Sequence, residues 1–368
     1  MEVVEKKEHY DITDLLSYDA EYNLLLSERS SGKSYQIKKV FISDFINNNI
    51  KFIYLRRHVT ELKEYMVNSY FADPNIPYRK WTKDRYDGIM CFRGNLYFYE
   101  MKDDKQVRGP LCGKYFALSI ATNYKSMSLT DYRNIVFEEF VAEKRGYTYL
   151  IDECTILQDL ISTIARKNKV HVYMVGNTIN SMCPYFRYWS LKNIPKQKRG
   201  TIDIYNMEYS DGTVKIAVEA CEETARKGRM FFGKAAEKIN SGIWTSREYP
   251  KLPYEYKKCR VLYTTIWEWG ELGYKAEVLR YESHIFLYVR PCDINKQYTL
   301  KRMRFISDRF NEVLSKFRWH TPYFIPVGKA DGVVRSLIQL GHVCYSDNLS
   351  GEEFNNIYEI YNRKGGIT

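Results

Sequence analysis

No pair of the eight cysteines stands as Cys-x-x-Cys, and no Cys/His group has the spacing of a zinc ligand set. Zinc ribbons, zinc fingers and dithiol redox motifs are thereby excluded. Thiols scattered from Cys91 to Cys344 fit a reducing cytoplasm better than a disulfide framework. The first residues, Met1-Glu2-Val3-Val4-Glu5-Lys6-Lys7, lack an apolar signal core, and no apolar run approaches membrane-spanning length. The expectation is a soluble intracellular protein, neither secreted nor held in a membrane. Internal repeats and low-complexity tracts are absent as well.

What is present points to a folded, basic chain. Its 368 residues are too many for one ordinary core, so two domains are expected. Hydrophobic residues make up 45%, enough for real cores. The 33 Tyr can serve cores, interfaces or base stacking alike. The formal net charge is +11. Residues 1–200 hold 31 basic and 24 acidic side chains, and residues 201–368 hold 25 and 21, so no single tail carries the excess. Such a surplus suits a polyanionic partner, and it suits a generic basic protein about as well.

Along the chain, Tyr22 to Leu26 reads as a buried strand. A Ser/Gly loop follows, then a helix from Lys33 with Ile37, Val40, Phe41 and Phe45 at helical spacing. Phe52 to Leu55 is a second strand, and Glu61 to Tyr70 is helical. Ile89 to Glu100 reads as a hairpin with a type II′ turn at Gly94-Asn95. Strands at 115–120, 134–137 and 170–175 follow, with a helix over 152–166. Alternation of this kind predicts an α/β, mostly parallel, helix-covered sheet. Lys192 to Gly200 is charged, contains Pro195 and reads as a domain exit. The expected organisation is therefore a P-loop domain over 1–195, a linker region over 196–250 and a smaller α+β domain over 251–368. In the last, strands at 260–267, 274–279 and 285–289 precede helices near 300–315, 330–340 and 351–362.

The strongest chemical signal is Ser27-Glu28-Arg29-Ser30-Ser31-Gly32-Lys33-Ser34, between a buried strand and an amphipathic helix. A phosphate-cradling loop needs inward backbone N–H groups and a helix N-terminus aimed at the anion. Ser27, Arg29, Ser30 and Ser31 would line that loop. Gly32 permits close approach, Lys33 would reach the β- and γ-phosphates of ATP, and Ser34 would ligate Mg2+. Ser27 replaces the usual first glycine, and Glu28 brings an acid to the loop. The second signal is Asn134-Ile135-Val136-Phe137-Glu138-Glu139, an apolar strand ending in two acids. Glu138 would hold the magnesium shell, reaching one methylene further than Asp, and Glu139 would polarise the attacking water. Asn177 ends another apolar strand and could sense the γ-phosphate; an Asn that simply turns the chain fits equally well. Arg166 lies at a helix end, where many arginines only answer the helix dipole.

In order and kind, Lys33, Arg56-Arg57, Glu138-Glu139, Asn177 and Cys183-Pro184-Tyr185-Phe186 resemble the DNA-packaging ATPases of small short-tailed bacteriophages. The resemblance covers residues 15–190 well and extends more weakly through Trp267-Glu268-Trp269-Gly270. It implies an additional-strand P-loop ATPase related to FtsK-like translocases. It also implies a homo-oligomeric pentameric ring on the portal, or connector, of a procapsid in the host cytoplasm. That ring would drive double-stranded DNA inward, in some members with a packaging RNA. It implies an arginine finger at Arg166, reaching a neighbour's ATP, and a catalytic lysine at Lys125. Val59 stands where the family places a further basic residue. Larger packaging motors carry a ribonuclease H-like nuclease at the C-terminal end. Here Glu268, Glu271, Glu277, Glu282 and Asp293 do not form a convincing acid set, so a vestigial docking domain is expected. Competing readings are a P-loop nucleotide or small-molecule kinase, another nucleic-acid-dependent ATPase or helicase, and a binding module with a decayed P-loop.

Overall fold

A strand buried on both faces needs apolar residues at every position, and Tyr22 to Leu26 meets that demand. In the computed structural model this strand, β1 (Tyr22–Ser27), sits deep inside a nine-stranded sheet. The structure describes residues 10–28, 31–142, 149–150, 153–166, 168–178, 183–191, 193–209, 212–222, 248–269, 272–293, 303–306, 323–324 and 332–358, the last without 349, 352 and 356. The chain divides into two units, Met1–Thr245 and Ser246–Thr368.

The first unit continues with α2 (Lys33–Asn48), which follows the short α1 (Thr13–Ser17), then β2 (Lys51–Arg56), α3 (Glu64–Phe71) and α4 (Tyr78–Trp81). Next come β3 (Gly88–Phe92), β4 (Asn95–Lys102), β5 (Lys105–Ala117) and β6 (Tyr132–Glu138). The unit ends with α5 (Glu153–Ala165), β7 (His171–Asn177), α6 (Pro184–Tyr188), β8 (Thr201–Tyr209) and β9 (Gly212–Ala220). The sheet order is β3-β4-β5-β2-β6-β7-β1-β9-β8. From β5 to β9 every neighbouring pair is parallel, and antiparallel hairpins close both edges. β7 stands between β1 and β6, which is the additional strand that the resemblance implies.

Period-two alternation sorts each central strand between two cores. Leu24, Leu26, Ile53, Leu55, Ile135 and Phe137 face α5 and α6, whose Leu157, Leu160, Ile164, Tyr185 and Phe186 cover them. Leu25, Phe52, Tyr54 and Val136 face the other way, under Ile37, Phe41 and Phe45 of α2 and Val67 and Phe71 of α3. Full burial of one such side chain is worth about 1.5–3 kcal/mol.

Two local readings are corrected. Residues 196–250 are not simply a linker, because β8 and β9 complete the first sheet. Ile216, Ala217 and Val218 of β9 are buried against β1, while β8 is a half-exposed edge strand without a clear apolar signature. The β3–β4 turn is Arg93-Gly94, flanked by the pair Phe92 and Asn95; both have positive φ (48° and 80°), the type I′ pattern rather than II′.

The second unit forms a six-stranded sheet, order β14-β13-β10-β11-β12-β15. β10 (Arg260–Trp269), β11 (Leu272–Tyr281) and β12 (His284–Pro291) make an antiparallel meander. β13 (Met303–Ile306) and β14 (Tyr323–Phe324) extend it in parallel beyond β10. β15 (Val343–Tyr345) joins β12 in parallel, and α7 (Gly332–Gln339) packs Val334 and Leu337 on the sheet with Trp267 and Phe354. The arrangement is α+β, as expected for this part of the chain. Where a helix was expected from 300, β13 is a strand. Glu277 accepts from Tyr256 at 3.0 Å and is paired with Lys275 at 2.8 Å and Arg290 at 3.1 Å, so it is tied into the fold. Glu271 lies outside the described residues, as do 307–315 and 359–362.

Candidate nucleotide site

Gly32 has φ +99°, a conformation that side chains rarely adopt, and it starts α2 directly. That geometry turns the chain from the end of β1 into the helix and buries Lys33. The Lys33 amine donates to Ser27 Oγ at 2.5 Å, to the Glu28 carbonyl at 3.0 Å and to Ser31 Oγ at 3.2 Å. Ser27 and Ser31 hydroxyls stand 2.7 Å apart. Ser27, the residue in the place of the first glycine, is therefore part of the lysine's cradle. Glu28, the unexpected acid, is buried with the Arg199 guanidinium 3.6 Å from its carboxylate. Arg29 and Ser30 lie outside the described residues. Tyr10 braces the loop: its N–H donates to the Ser31 carbonyl at 3.1 Å, and its hydroxyl donates to Glu219 of β9. Burial pushes the Glu219 carboxyl up to about 7.

The two acids end β6 and separate there. Glu138 is buried and accepts from the Tyr70 hydroxyl at 2.6 Å; the Ser34 side chain hydrogen-bonds the same hydroxyl. Ser34, in the first turn of α2, and Glu138 thus face one another through Tyr70. Glu139 has φ +57°, and its half-exposed carboxylate accepts from Arg56 Nη2 at 2.8 Å. The same Nη2 lies 2.8 Å from Glu61.

Arg57 fixes that backbone. It donates to the carbonyls of Glu139 at 3.2 Å and Phe140 at 2.7 Å, and it makes a two-pronged pair with Glu153 at 2.8 and 3.0 Å. Burial opposes the charge on Arg57, and the Glu153 carboxylate outweighs it and holds the guanidinium protonated. Glu153 also accepts from Tyr185 at 3.0 Å and from the Leu150 N–H at 2.8 Å. The loop after β6 runs so close to β7 that a Cβ on Gly176 would meet Val141 at 2.6 Å and Phe140 at 2.8 Å. Asn177, next to Gly176, ends β7 directly opposite Ser27.

Lys125 and Arg166 lie elsewhere. Lys125 is exposed, with its amine 3.7 Å from Asp159 of α5. Arg166 follows α5 with φ +48°, and its guanidinium reaches the Met127 carbonyl at 3.5 Å. The two cations share one exposed edge. Among the described residues neither touches Ser27, Lys33, Glu138 or Glu139.

Tyr70, Lys38 and Glu153 were not singled out from the sequence. Tyr70 is one tyrosine among 33, and nothing in its neighbours marks it. Lys38 had a signal: it lies four residues after Ser34 beside the apolar stripe of α2, where a charge is costly.

The donor set suits magnesium. It offers one hydroxyl and one carboxylate, and no cluster of three His, Cys, Asp or Glu occurs among the described residues. Magnesium is commonly held by one or two carboxylates, with the phosphates of its nucleotide and water completing the shell.

A family model described as Podovirus DNA encapsidation protein (Gp16) matches residues 4–242. The DNA packaging protein of Bacillus phage phi29 is 29% identical over 240 residues. That stretch covers 65% of this chain and 65% of the relative, so the match spans just under two thirds of the relative's length. Over nearly the whole chain, the fold is similar to a chain from the bacteriophage Phi-29 viral genome packaging motor assembly. That likeness has a TM-score of 0.58 at 19% identity, covering 96% of this chain and 100% of the other. A chain from the Phi-28 gp11 DNA packaging motor gives 0.56 at 18% identity, covering 97% and 98%.

Proposed function

The chain belongs to the Podovirus DNA encapsidation protein family, and from that premise we propose that it is the ATP-hydrolysing subunit of a ring motor that drives double-stranded DNA into a procapsid. The observation that carries this reading is the buried Lys33 amine, cradled at the end of β1 one strand away from β7 and two from the acids of β6. The family of the relatives supplies the cargo, DNA, and the net charge of +11 suits it.

Each residue then has a task. Lys33 leaves its serine and carbonyl partners for the β- and γ-phosphates of ATP. The N–H groups at the start of α2 add a positive dipole end. Ser34 and Glu138 hold magnesium, which when bound neutralises charge on the phosphates. Glu139 orients the attacking water and accepts its proton, while Arg56 and Arg57 set its carboxylate and backbone. Asn177, level with Ser27, reports on the γ-phosphate. Arg166 and Lys125 act on the ATP of a neighbouring subunit from their shared edge, which makes turnover depend on a closed ring, a pentamer by resemblance. The ring would sit on the portal in the host cytoplasm, with or without a packaging RNA. No helix among the described residues is long and apolar enough to cross a membrane.

ATP turnover of the purified chain, with and without double-stranded DNA, tests the reading. Turnover stimulated by DNA and abolished in a folded Lys33→Ala variant is expected. Phosphate transfer to a small acceptor, indifferent to DNA, would replace the motor with a kinase.

A further inference from the structure

Tyr70 belongs to α3, outside the phosphate loop and the acid strand. Its hydroxyl nevertheless stands between the two groups assigned to magnesium, donating to Glu138 Oε1 at 2.6 Å and hydrogen-bonded to Ser34. Other contacts pin it. The buried Lys38 amine donates to the Tyr70 carbonyl and lies 3.8 Å above the ring centre. Tyr54 of β2 packs against the ring with centroids 4.5 Å apart, and Phe71 meets it edge-on at 4.9 Å.

We propose that Tyr70 is a positioning residue for the divalent cation, relaying a hydrogen bond from Ser34 to Glu138; the inference rests on the nucleotide-site reading above. A serine that gives its proton to Tyr70 presents an oxygen lone pair to a cation. A glutamate with one oxygen held by Tyr70 presents the other. Glu138 is one methylene longer than the commoner aspartate, and the phenol hydroxyl is the partner that fixes the longer arm. Lys38, whose amine burial lowers to about 8, anchors the backbone of Tyr70.

Outer partners of metal ligands are commonly worth about tenfold to a hundredfold in metal affinity. The test is manganese binding to the full chain with ADP, followed by loss of the free Mn2+ electron paramagnetic resonance signal. Fluorescent ADP binding in EDTA is measured alongside. Tyr70→Phe should weaken Mn2+ binding about tenfold and leave metal-free ADP binding unchanged. Lys38→Met, which frees the Tyr70 carbonyl without touching its hydroxyl, should shift Mn2+ binding in the same direction and serves if Tyr70→Phe does not fold. Unchanged Mn2+ affinity in a folded variant, or an equal loss of metal-free ADP affinity, overturns the proposal. Ser34→Ala separates the two claims. If it weakens Mn2+ binding and Tyr70→Phe does not, only the role of Tyr70 fails; if it too has no effect, the metal assignment itself fails.

Discussion

Replacing Glu153 by Gln keeps the shape of a side chain that is 0% exposed and removes its charge. Arg57, 3% exposed, would then be a buried cation without its carboxylate. Removing one partner of a buried pair costs about 3–5 kcal/mol. The glutamine carbonyl can keep one of the two arginine bonds, so the lower end, about 3 kcal/mol, is expected. Domains of this kind have about 5–15 kcal/mol in total, so Glu153→Gln should fold at low temperature with a much reduced urea midpoint. Turnover should fall as well, because Arg57 also holds the carbonyls of Glu139 and Phe140. A small misplacement of Glu139 can cost about a hundredfold in rate. The double variant Arg57→Met with Glu153→Leu separates the two effects. Apolar replacement of a buried pair is often neutral, but Tyr185 and the Leu150 N–H also lose their acceptor, so stability should return only in part. The two carbonyls would still lack their donor, so turnover should not return. Urea unfolding followed by circular dichroism and steady-state ATP turnover read both. A loss under about 1 kcal/mol in Glu153→Gln, or full activity in the double variant, would refute the reasoning.

Two further outcomes are expected. Neither Arg166→Ala nor Glu139→Gln should hydrolyse ATP alone, yet rings mixed from both should recover part of the activity, because some interfaces join an intact Arg166 to an intact Glu139; mixed rings without recovery would remove the finger. Glu219 should make stability depend on pH: its folded carboxyl titrates near 7 against about 4.5 unfolded, so its contribution is complete below about pH 4.5 and declines as pH rises through 7, by up to about 3 kcal/mol. Glu219→Gln should flatten urea midpoints between pH 5 and 8, and an unchanged slope would assign the dependence elsewhere.

Much of the site was legible because its parts are local. β1, the loop and the first turn of α2 are contiguous, and the acids follow an apolar strand at once. Apolar runs at strand length and helical spacing in α2 and α5 carried the fold of the first unit. What the sequence hid is what long-range pairing creates. Arg57 and Glu153 are 96 positions apart, and Tyr70 and Glu138 are 68 apart. No periodicity links such partners, and each alone reads as an ordinary polar or aromatic residue. β8 and β9 were misread for a similar reason. A charged connection followed by a half-exposed edge strand looks like the end of a domain, and only pairing with β1 shows otherwise. Ser27 and Glu28 counted as departures from a glycine-rich loop. In the fold, Ser27 holds Lys33, and Arg199, from the segment read as an exit, sits beside Glu28.

The central claim, that this chain uses ATP hydrolysis to drive double-stranded DNA into a shell, is tested most directly by nuclease protection. Procapsids, DNA and the purified chain are incubated with ATP, treated with DNase, and the protected DNA is measured. Protection should require ATP and should vanish with Lys33→Ala and with Glu139→Gln. DNA protected equally well by those variants, or no protection by a wild-type chain that assembles on procapsids and hydrolyses ATP, would contradict it.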